Sequence, residues 1–135
     1  MTFTQEELDY LASQRLGRLA TVDGTGAPQN SPVGFRYEPD SGTIAIGGRN
    51  LGQSRKFRNV RATGVVSFVV DDIVSTDPWR VRGVEIRGDA EALTDVDPGT
   101  PYGSRELIRI HPRRVISWGI DSDMYDANSR PVPPT

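Results

Sequence analysis

The chain has 135 residues, which is enough for one domain with a real core and too few for two conventional domains. Its formal charge of −2, with 36% hydrophobic and 25% charged residues, is ordinary for a soluble globular protein and gives no general attraction to nucleic acid or to an anionic membrane. The absence of cysteine excludes disulfides, thiolate metal sites and cysteine nucleophiles, and the lack of a basic leader and of an apolar run of about 20 residues predicts a cytoplasmic protein without a membrane span.

The first half of the chain is predicted to form one helix followed by short strands. Thr4 and Glu7 have the spacing of a capping box, which predicts a covering helix over about residues 4–16. Clusters of Gly, Pro and Asp separate the three strands predicted next: 18–22, 29–37 and 43–47. A basic helix is then predicted from Ser54, and residues 63–70 are almost continuously apolar, as in a central strand buried on both faces.

The second half of the chain is predicted to complete a barrel. Polar and apolar residues alternate over 82–93, which predicts a strand with one solvated face. A short helical stretch near 104–110, a last strand at 114–120 and a loose Pro-rich tail over about 121–135 follow. Six strands with an N-terminal helix and two short helices predict an antiparallel β-barrel with helical covers, in one domain over residues 1–135.

The densest basic run of the chain, residues 54–61, contains Lys56, the only lysine beside fifteen arginines. With Ser54 as N-cap, its cations lie at a helix start that already carries about half a positive charge, so each added cation is unfavourable by roughly 0.3–1 kcal/mol. A bound anion, held by free backbone N–H groups and the flanking side chains, resolves this conflict. A solvated basic helix is the equally weighted alternative, so the run alone leaves phosphate binding open.

Five short motifs follow the N-terminal helix in a characteristic order: Leu19-Ala20-Thr21-Val22, Gly26-Ala27-Pro28-Gln29, Pro32-Val33, Ser54-Arg55-Lys56-x-Arg58-Asn59-Val60 and Pro112-Arg113-Arg114-Val115. Their order and spacing over residues 4–120 resemble the pyridoxamine 5'-phosphate oxidase-like split β-barrel family, and within it the actinobacterial deazaflavin-dependent branch. The resemblance implies a mainly β fold, a six-stranded antiparallel split β-barrel of Greek-key topology. It also implies a homodimer that binds the deazaflavin coenzyme F420, or FMN, in a groove between the subunits.

The resemblance further implies which positions contact the cofactor, namely Lys56, Arg55, Ser54, Asn59, Ser31, Pro32 and Val33. Residues 54–56 would hold the coenzyme phosphate, Asn59 would brace the loop, and residues 31–33 would present backbone groups to the ring. Independently, Pro32 in mid-strand removes a ladder donor, which predicts an edge strand or a bulge. A proline that only protects an edge strand from aggregation is the alternative interpretation of that residue.

The function implied by the resemblance is hydride transfer between reduced F420 and an electron-poor organic acceptor, a small-molecule substrate. The cofactor then supplies the reactivity, so no catalytic residue is assigned. F420 is favoured over FMN because its tail carries a phosphodiester and several carboxylates, which a cluster of cations around Lys56 can meet. That cluster comprises Arg49, Arg55, Arg58 and Arg61. Two alternatives stay open: an FMN-dependent oxidoreductase of the same fold, and a non-catalytic flavin or deazaflavin carrier or sensor.

Other functions are disfavoured by what the sequence lacks. Residues 131–135 lack the arginine-bearing C-terminal signature of the true oxidases of the family, which disfavours pyridoxamine-phosphate oxidase activity itself. A nucleic-acid-binding barrel needs aromatic residues between the basic ones, and Phe57 is the only aromatic residue in the run 54–61. His111 is the sole histidine, so no transition-metal site is expected.

Trp79 follows a predicted loop over residues 71–78, where an aromatic side chain must be covered by something. In a dimer this loop would reach the groove of the partner, and Trp79 would wall the ring or the substrate there. Packing of Trp79 against its own barrel is an equally weighted alternative. We therefore expect an obligate homodimer, with Trp79 as the best candidate for a contact made across the two-fold axis.

Overall fold

A computed structural model describes residues 2–134, which form two α-helices, one 3-10 turn and eight strands. The helices are α1 (Gln5–Ala12) and α2 (Arg55–Thr63), and the 3-10 turn is Leu51–Gln53. The strands are β1 (Leu16–Val22), β2 (Pro28–Gly34), β3 (Arg36–Glu38), β4 (Thr43–Ile46), β5 (Val65–Thr76), β6 (Trp79–Leu93), β7 (Leu107–Trp118) and β8 (Asn128–Pro131).

All eight strands belong to one antiparallel sheet, in the order β2-β1-β5-β6-β7-β4-β3, with β8 paired to β7. The sheet curls into a half-barrel around a single cluster of buried aliphatic and aromatic side chains, and α2 packs on β1 and β6. The predicted fold class is therefore confirmed, with eight strands rather than six. One extra strand arises because the predicted strand over 29–37 is interrupted at Phe35, and the other is β8.

Helix α1 begins where the sequence predicts. The Thr4 hydroxyl accepts a hydrogen bond from the Glu7 N–H (3.1 Å), and the Glu7 carboxylate accepts one from the Thr4 N–H (2.9 Å), which completes the capping box. The helix ends at Ala12 rather than near residue 16, because Leu16 already belongs to β1.

The helix predicted near residues 104–110 is wrong, because this segment leads directly into the long strand β7. Leu107 pairs with Leu93 at the start of the β6–β7 ladder, and Ile110 is fully buried further along it. A short segment of mixed polar and apolar residues does not distinguish a strand from a helix by itself, and here the pairing with β6 decides.

The tail predicted to be loose over about residues 121–135 contains the strand β8, which pairs with residues 114–117 of β7. Arg130 on β8 donates hydrogen bonds to the carboxylate of Glu7, which is completely buried. Burial raises the pKa of Glu7, but the hydrogen bonds from Arg130 and from the Thr4 N–H outweigh it and the net pKa is lowered. One ion pair therefore joins the first turn of α1 to the last strand.

Strands β5 and β6 form a long hairpin, which corrects two further predictions. The segment 71–78 is not a loop, since β5 continues through most of it and a two-residue turn connects β5 to β6. The strand predicted at 63–70 is an interior strand, but it is not buried on both faces: alternate side chains face outward, and Val65 is 55% exposed. The residues described here thus leave the outer face of this hairpin uncovered.

Candidate cofactor site

The start of helix α2 offers two free backbone donors. Ser54 is the N-cap: its hydroxyl accepts a hydrogen bond from the Phe57 N–H (3.2 Å) and donates one to the Leu51 carbonyl (2.6 Å). The N–H groups of Arg55 and Lys56 have no partner within residues 2–134, as is usual for the first turn of a helix. The Ser54 hydroxyl is thus already used by the helix, while two N–H groups and their side chains remain available to an anion.

Five cations in and before α2 form no ion pair with any carboxylate of residues 2–134: Arg49, Arg55, Lys56, Arg58 and, in the last turn of the helix, Arg61. Arg61 lies over the ring of Phe57 at 5.0 Å instead. Hydrogen bonds from Thr25 and from the Ala27 N–H lower the pKa of Asp23, and the nearby Arg55 lowers it further, so α2 begins beside the β1–β2 turn. The local charge is positive: no ion pair within residues 2–134 neutralises these cations, and the Asp23 carboxylate near Arg55 offsets only part of that charge.

Asn59 fastens α2 to the sheet. Its side-chain amide is buried and donates to the Thr21 hydroxyl (3.0 Å), which in turn donates to the Gln29 side chain (3.3 Å). The Thr63 hydroxyl donates to the Val22 carbonyl (3.0 Å) and makes a second link from α2 to β1. Asn59 therefore positions the helix against β1 and β2, and its side-chain NH2 group is engaged within the protein.

Strand β2 is the edge strand of the sheet, as the mid-strand Pro32 predicts. The three residues expected beside the cofactor ring lie on different faces of β2. The side chains of Ser31 and Val33 point inward, and that of Pro32 points outward. The Ser31 hydroxyl is buried and has no hydrogen-bond partner among the described residues. The outward face between Pro32 and Gly34 is bare, since a Cβ added at Gly34 would meet no atom within 4 Å.

A cavity of about 510 Å³ begins at the end of β2 and lies between residues 47–49 and the loop 96–106. Four glycines line it, and a Cβ added at three of them, Gly34, Gly47 and Gly48, would meet no atom within 4 Å. Bare backbone of this kind lets a flat ring approach closely. Arg49 follows Gly48 directly, and its guanidinium lies 5.5 Å from the centre of the Tyr102 ring, which belongs to the loop on the other side of the cavity.

Two hydrogen bonds hold the loop 96–106 against the segment that connects β4 to α2. The Ser104 N–H donates to the Gly48 carbonyl (3.0 Å), and the Gly52 N–H donates to Glu106 Oε1 (3.1 Å). Sequence analysis missed the glycines and Tyr102. A pair of glycines between a strand and the cationic segment was a usable signal for residues 47–48, whereas nothing local indicated that the loop 96–106 folds onto them.

The structure does not bring Trp79 to this site within one chain. Trp79 begins β6 at the tip of the β5–β6 hairpin, whereas α2 ends beside the opposite end of that hairpin, where the Ala90 N–H donates to the Gly64 carbonyl (2.9 Å). The part of β5 between Val66 and Thr76 spans about 33 Å at 3.3 Å per residue. Trp79 is 49% exposed, and Ile73 beside it is 55% exposed.

The sole histidine of the sequence does not line the cavity. His111 lies away from the cavity, where its Nε2 pairs with Glu91 Oε1. Residues 2–134 contain no group of three or more His, Asp or Glu side chains arranged to hold a metal ion. No helix in this part of the chain is long and apolar enough to cross a membrane.

The curled antiparallel sheet, its bare edge strand and the cationic helix start define a flavin-binding type of half-barrel. The sequence matches the pyridoxamine 5'-phosphate oxidase family over residues 3–119, and the chain belongs to that family. It is 51% identical, over 125 residues, to the 5a,11a-dehydrotetracycline/5a,11a-dehydrooxytetracycline reductase of Streptomyces rimosus, covering 92% of this chain and 88% of that protein. The chain is therefore an oxidoreductase that acts on a small molecule, on a fold that binds flavin-type cofactors.

Solved structures support the same fold. A conserved hypothetical protein from Mycobacterium tuberculosis is 25% identical and superposes with a TM-score of 0.69, covering 88% of this chain and 86% of that one. General stress protein 26 from Bacillus anthracis is 18% identical, with a TM-score of 0.67 and coverage of 98% and 100%. These likenesses concern the architecture of the half-barrel.

Proposed function

We propose that this protein reduces an electron-poor carbon–carbon double bond of a polycyclic small molecule, with reduced F420 as the hydride donor. The observation that carries the proposal is the 51% identity, over 92% of the chain, to a reductase of 5a,11a-dehydrotetracyclines. Such a reduction adds a hydride to one carbon of the double bond and a proton to the other, and oxidises the cofactor by two electrons. When bound, the cofactor supplies that hydride, and the chain supplies orientation, charge and exclusion of water.

The start of α2 fits the cofactor phosphate. Two free N–H groups, of Arg55 and Lys56, lie at the positive end of the helix dipole, and both side chains add a charge that is not held in an ion pair within the described residues. The hydroxyl of Ser54 is engaged in capping, so we assign Ser54 to forming the helix start and the other two residues to binding. Asn59 holds this helix start against β1 through Thr21.

The edge of β2 fits the flat ring. The backbone groups of an edge strand that face away from the sheet are free to hydrogen-bond, and Pro32 and Gly34 place no large side chain in front of them. Gly34 also borders the cavity of about 510 Å³, which lies within the range of about 300–1,000 Å³ usual for small-molecule sites. A ring on this edge therefore has the cavity open in front of it.

The preference for F420 over FMN rests on charge. FMN ends at its phosphate, whereas the F420 tail continues into a phosphodiester and several carboxylates. Arg58 and Arg61 continue the positive charge along α2 beyond Lys56, and neither forms an ion pair in residues 2–134. FMN, with fewer negative charges, is the alternative cofactor of the same site.

We further propose that the active form is a homodimer and that Trp79 of one subunit closes the site of the other. The hairpin tip presents three exposed apolar side chains close together, Ile73, Val74 and Trp79, in a chain whose other large apolar residues are mostly buried. A two-fold contact buries such a patch on both subunits at once. It also brings an aromatic side chain to a groove that the same subunit cannot close.

Titration of the purified protein with F420 and with FMN, followed by fluorescence quenching, tests the cofactor assignment. We expect tighter binding of F420. The substitution Gly34→Val places a branched side chain where the ring is proposed to lie and should weaken F420 binding without unfolding the protein, because Gly34 has no positive φ and open space around it. Gly24→Val, in the β1–β2 turn with the same open surroundings, is the matched control.

The reaction itself is tested by mixing the protein, under anaerobic conditions, with reduced F420 and 5a,11a-dehydrotetracycline. We expect reoxidation of F420 far faster than in the absence of protein, with one equivalent of reduced product. Binding of F420 without accelerated reoxidation by this or any related acceptor would favour a carrier or sensor instead. Tighter binding of FMN with FMN-dependent turnover would assign the alternative cofactor.

A further inference from the structure

The cavity has a second wall that the proposed cofactor contacts do not use. This wall is the loop 96–106, which is closed at its base by a hydrogen bond from the Val96 N–H to the Arg105 carbonyl (2.8 Å). Tyr102 projects from the loop and is 72% exposed. An exposed aromatic ring beside an open cavity is a surface on which another flat molecule can stack.

The cavity lining carries two carboxylates and two arginines, and only the carboxylates are held by hydrogen bonds from the chain. Each of its two carboxylates, Glu106 and Asp97, accepts a hydrogen bond from a backbone N–H group, at 3.1 and 2.9 Å. Arg36 and Arg49 both line the cavity, and neither forms an ion pair within residues 2–134. Arg49 lies over the Tyr102 ring, so a cation and an aromatic face occur together.

The rest of the lining is mostly apolar, with Phe35, Val96, Pro98 and Leu107 beside the polar Thr100 and Ser104. A site that combines an apolar surface, a free aromatic face and one or two unpaired guanidinium groups suits a flat polycyclic molecule that carries an acidic enol or phenol. An ionised enol oxygen accepts paired hydrogen bonds from a guanidinium group, and the fused rings stack on the tyrosine.

From this geometry we infer that the cavity wall formed by Arg49 and Tyr102 is the acceptor subsite and selects flat polycyclic acceptors with an ionised enol. The inference rests on the proposed function, because it places the acceptor opposite the β2 edge where the cofactor ring is assigned. It reassigns Arg49 from the cofactor tail to the acceptor. Tyr102 stacks on the fused rings, and Arg49 pairs with the enolate oxygen.

Direct binding of tetracycline, the product expected from reduction of 5a,11a-dehydrotetracycline, to the cofactor-free protein tests the subsite without any turnover. A change in the fluorescence of tetracycline should report its binding to the wild-type protein. Arg49→Gln and Tyr102→Ala should each weaken this binding by about tenfold, the size usual for loss of one charge-assisted or stacking contact. Tyr102→Phe should bind like the wild-type protein, because it keeps the ring.

Two controls are matched to these variants. Tyr125→Ala removes another exposed tyrosine, 79% exposed and remote in sequence from the cavity, and should leave tetracycline binding unchanged. Arg114→Ala removes an arginine of β7 that forms no ion pair in residues 2–134 and does not line the cavity, and it should do the same. In turnover with F420, the two cavity variants should raise KM for 5a,11a-dehydrotetracycline and change kcat little.

Different outcomes overturn different conclusions. If the wild-type protein binds F420 but Arg49→Gln and Tyr102→Ala bind tetracycline as tightly as it does, the acceptor subsite is elsewhere and the proposed function stands. If the wild-type protein binds no tetracycline at any soluble concentration, the acceptor class inferred here is wrong. If it binds tetracycline through Tyr102 but neither F420 nor FMN, the subsite is supported and the proposed function fails.

Discussion

At the scale of single residues, the cations near α2 differ in what holds them. Arg61 lies over Phe57 and Arg49 over Tyr102, while the Lys56 side chain has no ion-pair partner in the described part of the chain. A cation at a helix start opposes the helix dipole, so Lys56 costs stability unless an anion is bound. This is the local conflict that a phosphate removes.

We predict that Lys56→Ala weakens F420 binding about ten- to a hundred-fold, because one charge-assisted phosphate contact contributes roughly 1.5–3 kcal/mol. Fluorescence titration measures the change. Arg15→Ala, which removes an exposed cation far from α2, should leave the affinity as it is. An unaltered Kd for Lys56→Ala would remove this residue from the cofactor site.

A second residue-scale prediction concerns pH. The guanidinium of Arg109 donates two hydrogen bonds of 2.9 Å to the carboxylate of Glu38, and the Thr43 hydroxyl donates a third of 2.7 Å. The pair with Arg109 lowers the pKa of Glu38 from 4.5 to about 2. Because the pKa of Glu38 is lower in the folded than in the unfolded protein, its ionised carboxylate stabilises the fold at any pH above the unfolded pKa. That contribution is lost as the pH falls from about 4.5 to about 2.

Glu38→Gln should therefore lower the free energy of unfolding at pH 7 by about 1–3 kcal/mol and flatten the loss of stability between pH 4.5 and 2. Urea unfolding at a series of pH values measures both effects. The matched control is Asp126→Asn, an exposed carboxylate without an ion pair in the described residues. If the free energy of unfolding of Glu38→Gln falls between pH 4.5 and 2 as steeply as that of the wild-type protein, Glu38 is not the source of this pH dependence.

At the scale of elements, the first helix and the last strand hold each other in place. Helix α1 has only eight residues, too few to be stable alone, and β8 has four. The ion pair of Glu7 with Arg130 joins them over the end of β7. Since the Glu7 carboxylate is completely buried, its pairing decides whether both elements remain docked.

We predict that Arg130→Met lowers the free energy of unfolding by about 3–5 kcal/mol, because it leaves a buried carboxylate unpaired. The double variant Glu7→Gln with Arg130→Met should recover part of this loss, since no charge then remains buried. Arg114→Met, which removes a hydrogen bond of 2.9 Å to the exposed Ser129 hydroxyl, is the control and should change stability little. Equal losses for Arg130→Met and Arg114→Met would show that the buried pair contributes nothing special.

At the scale of the whole molecule, the outer face of the β5–β6 hairpin is the unexplained surface. The proposed cofactor site also has one open side. The exposed Trp79 lies at the hairpin tip, and the length of β5 separates it from that site within the same chain. A two-fold dimer accounts for both observations with a single contact, because it covers the hairpin and supplies an aromatic wall. Light scattering that gives a monomer of 14.8 kDa at micromolar concentration would exclude this arrangement.

The shared site makes a prediction about mixed dimers. Lys56→Ala should act mainly through cofactor binding, and Trp79→Ala mainly through turnover or acceptor preference. A heterodimer of the two variants has one site with both defects and one site with neither. We therefore expect mixing of the two inactive proteins to restore activity. If subunit exchange is demonstrated and no activity returns, Trp79 belongs to packing and not to the site.

The sequence by itself determined the features that depend on neighbouring residues. The capping box at Thr4, the cap at Ser54, the basic helix and the edge position of Pro32 were all predicted from local patterns and are present in the structure. Each follows from backbone geometry or hydrogen bonding within a few positions of the residue concerned. The motif order over residues 4–120 likewise indicated the family that the chain belongs to.

Tertiary structure decided the features that depend on distant pairing. Residues 107–110 form part of a strand because β6 is available to pair with them, and part of the C-terminal tail forms β8 because the edge of β7 is free. Residues 47–49 and the loop 96–106, about fifty positions apart, enclose the cavity together. The hydrogen bonds that hold these segments together cannot be predicted from a local sequence pattern. Local chemistry thus fixes where helices and turns begin, whereas long-range strand pairing fixes which of the remaining segments meet.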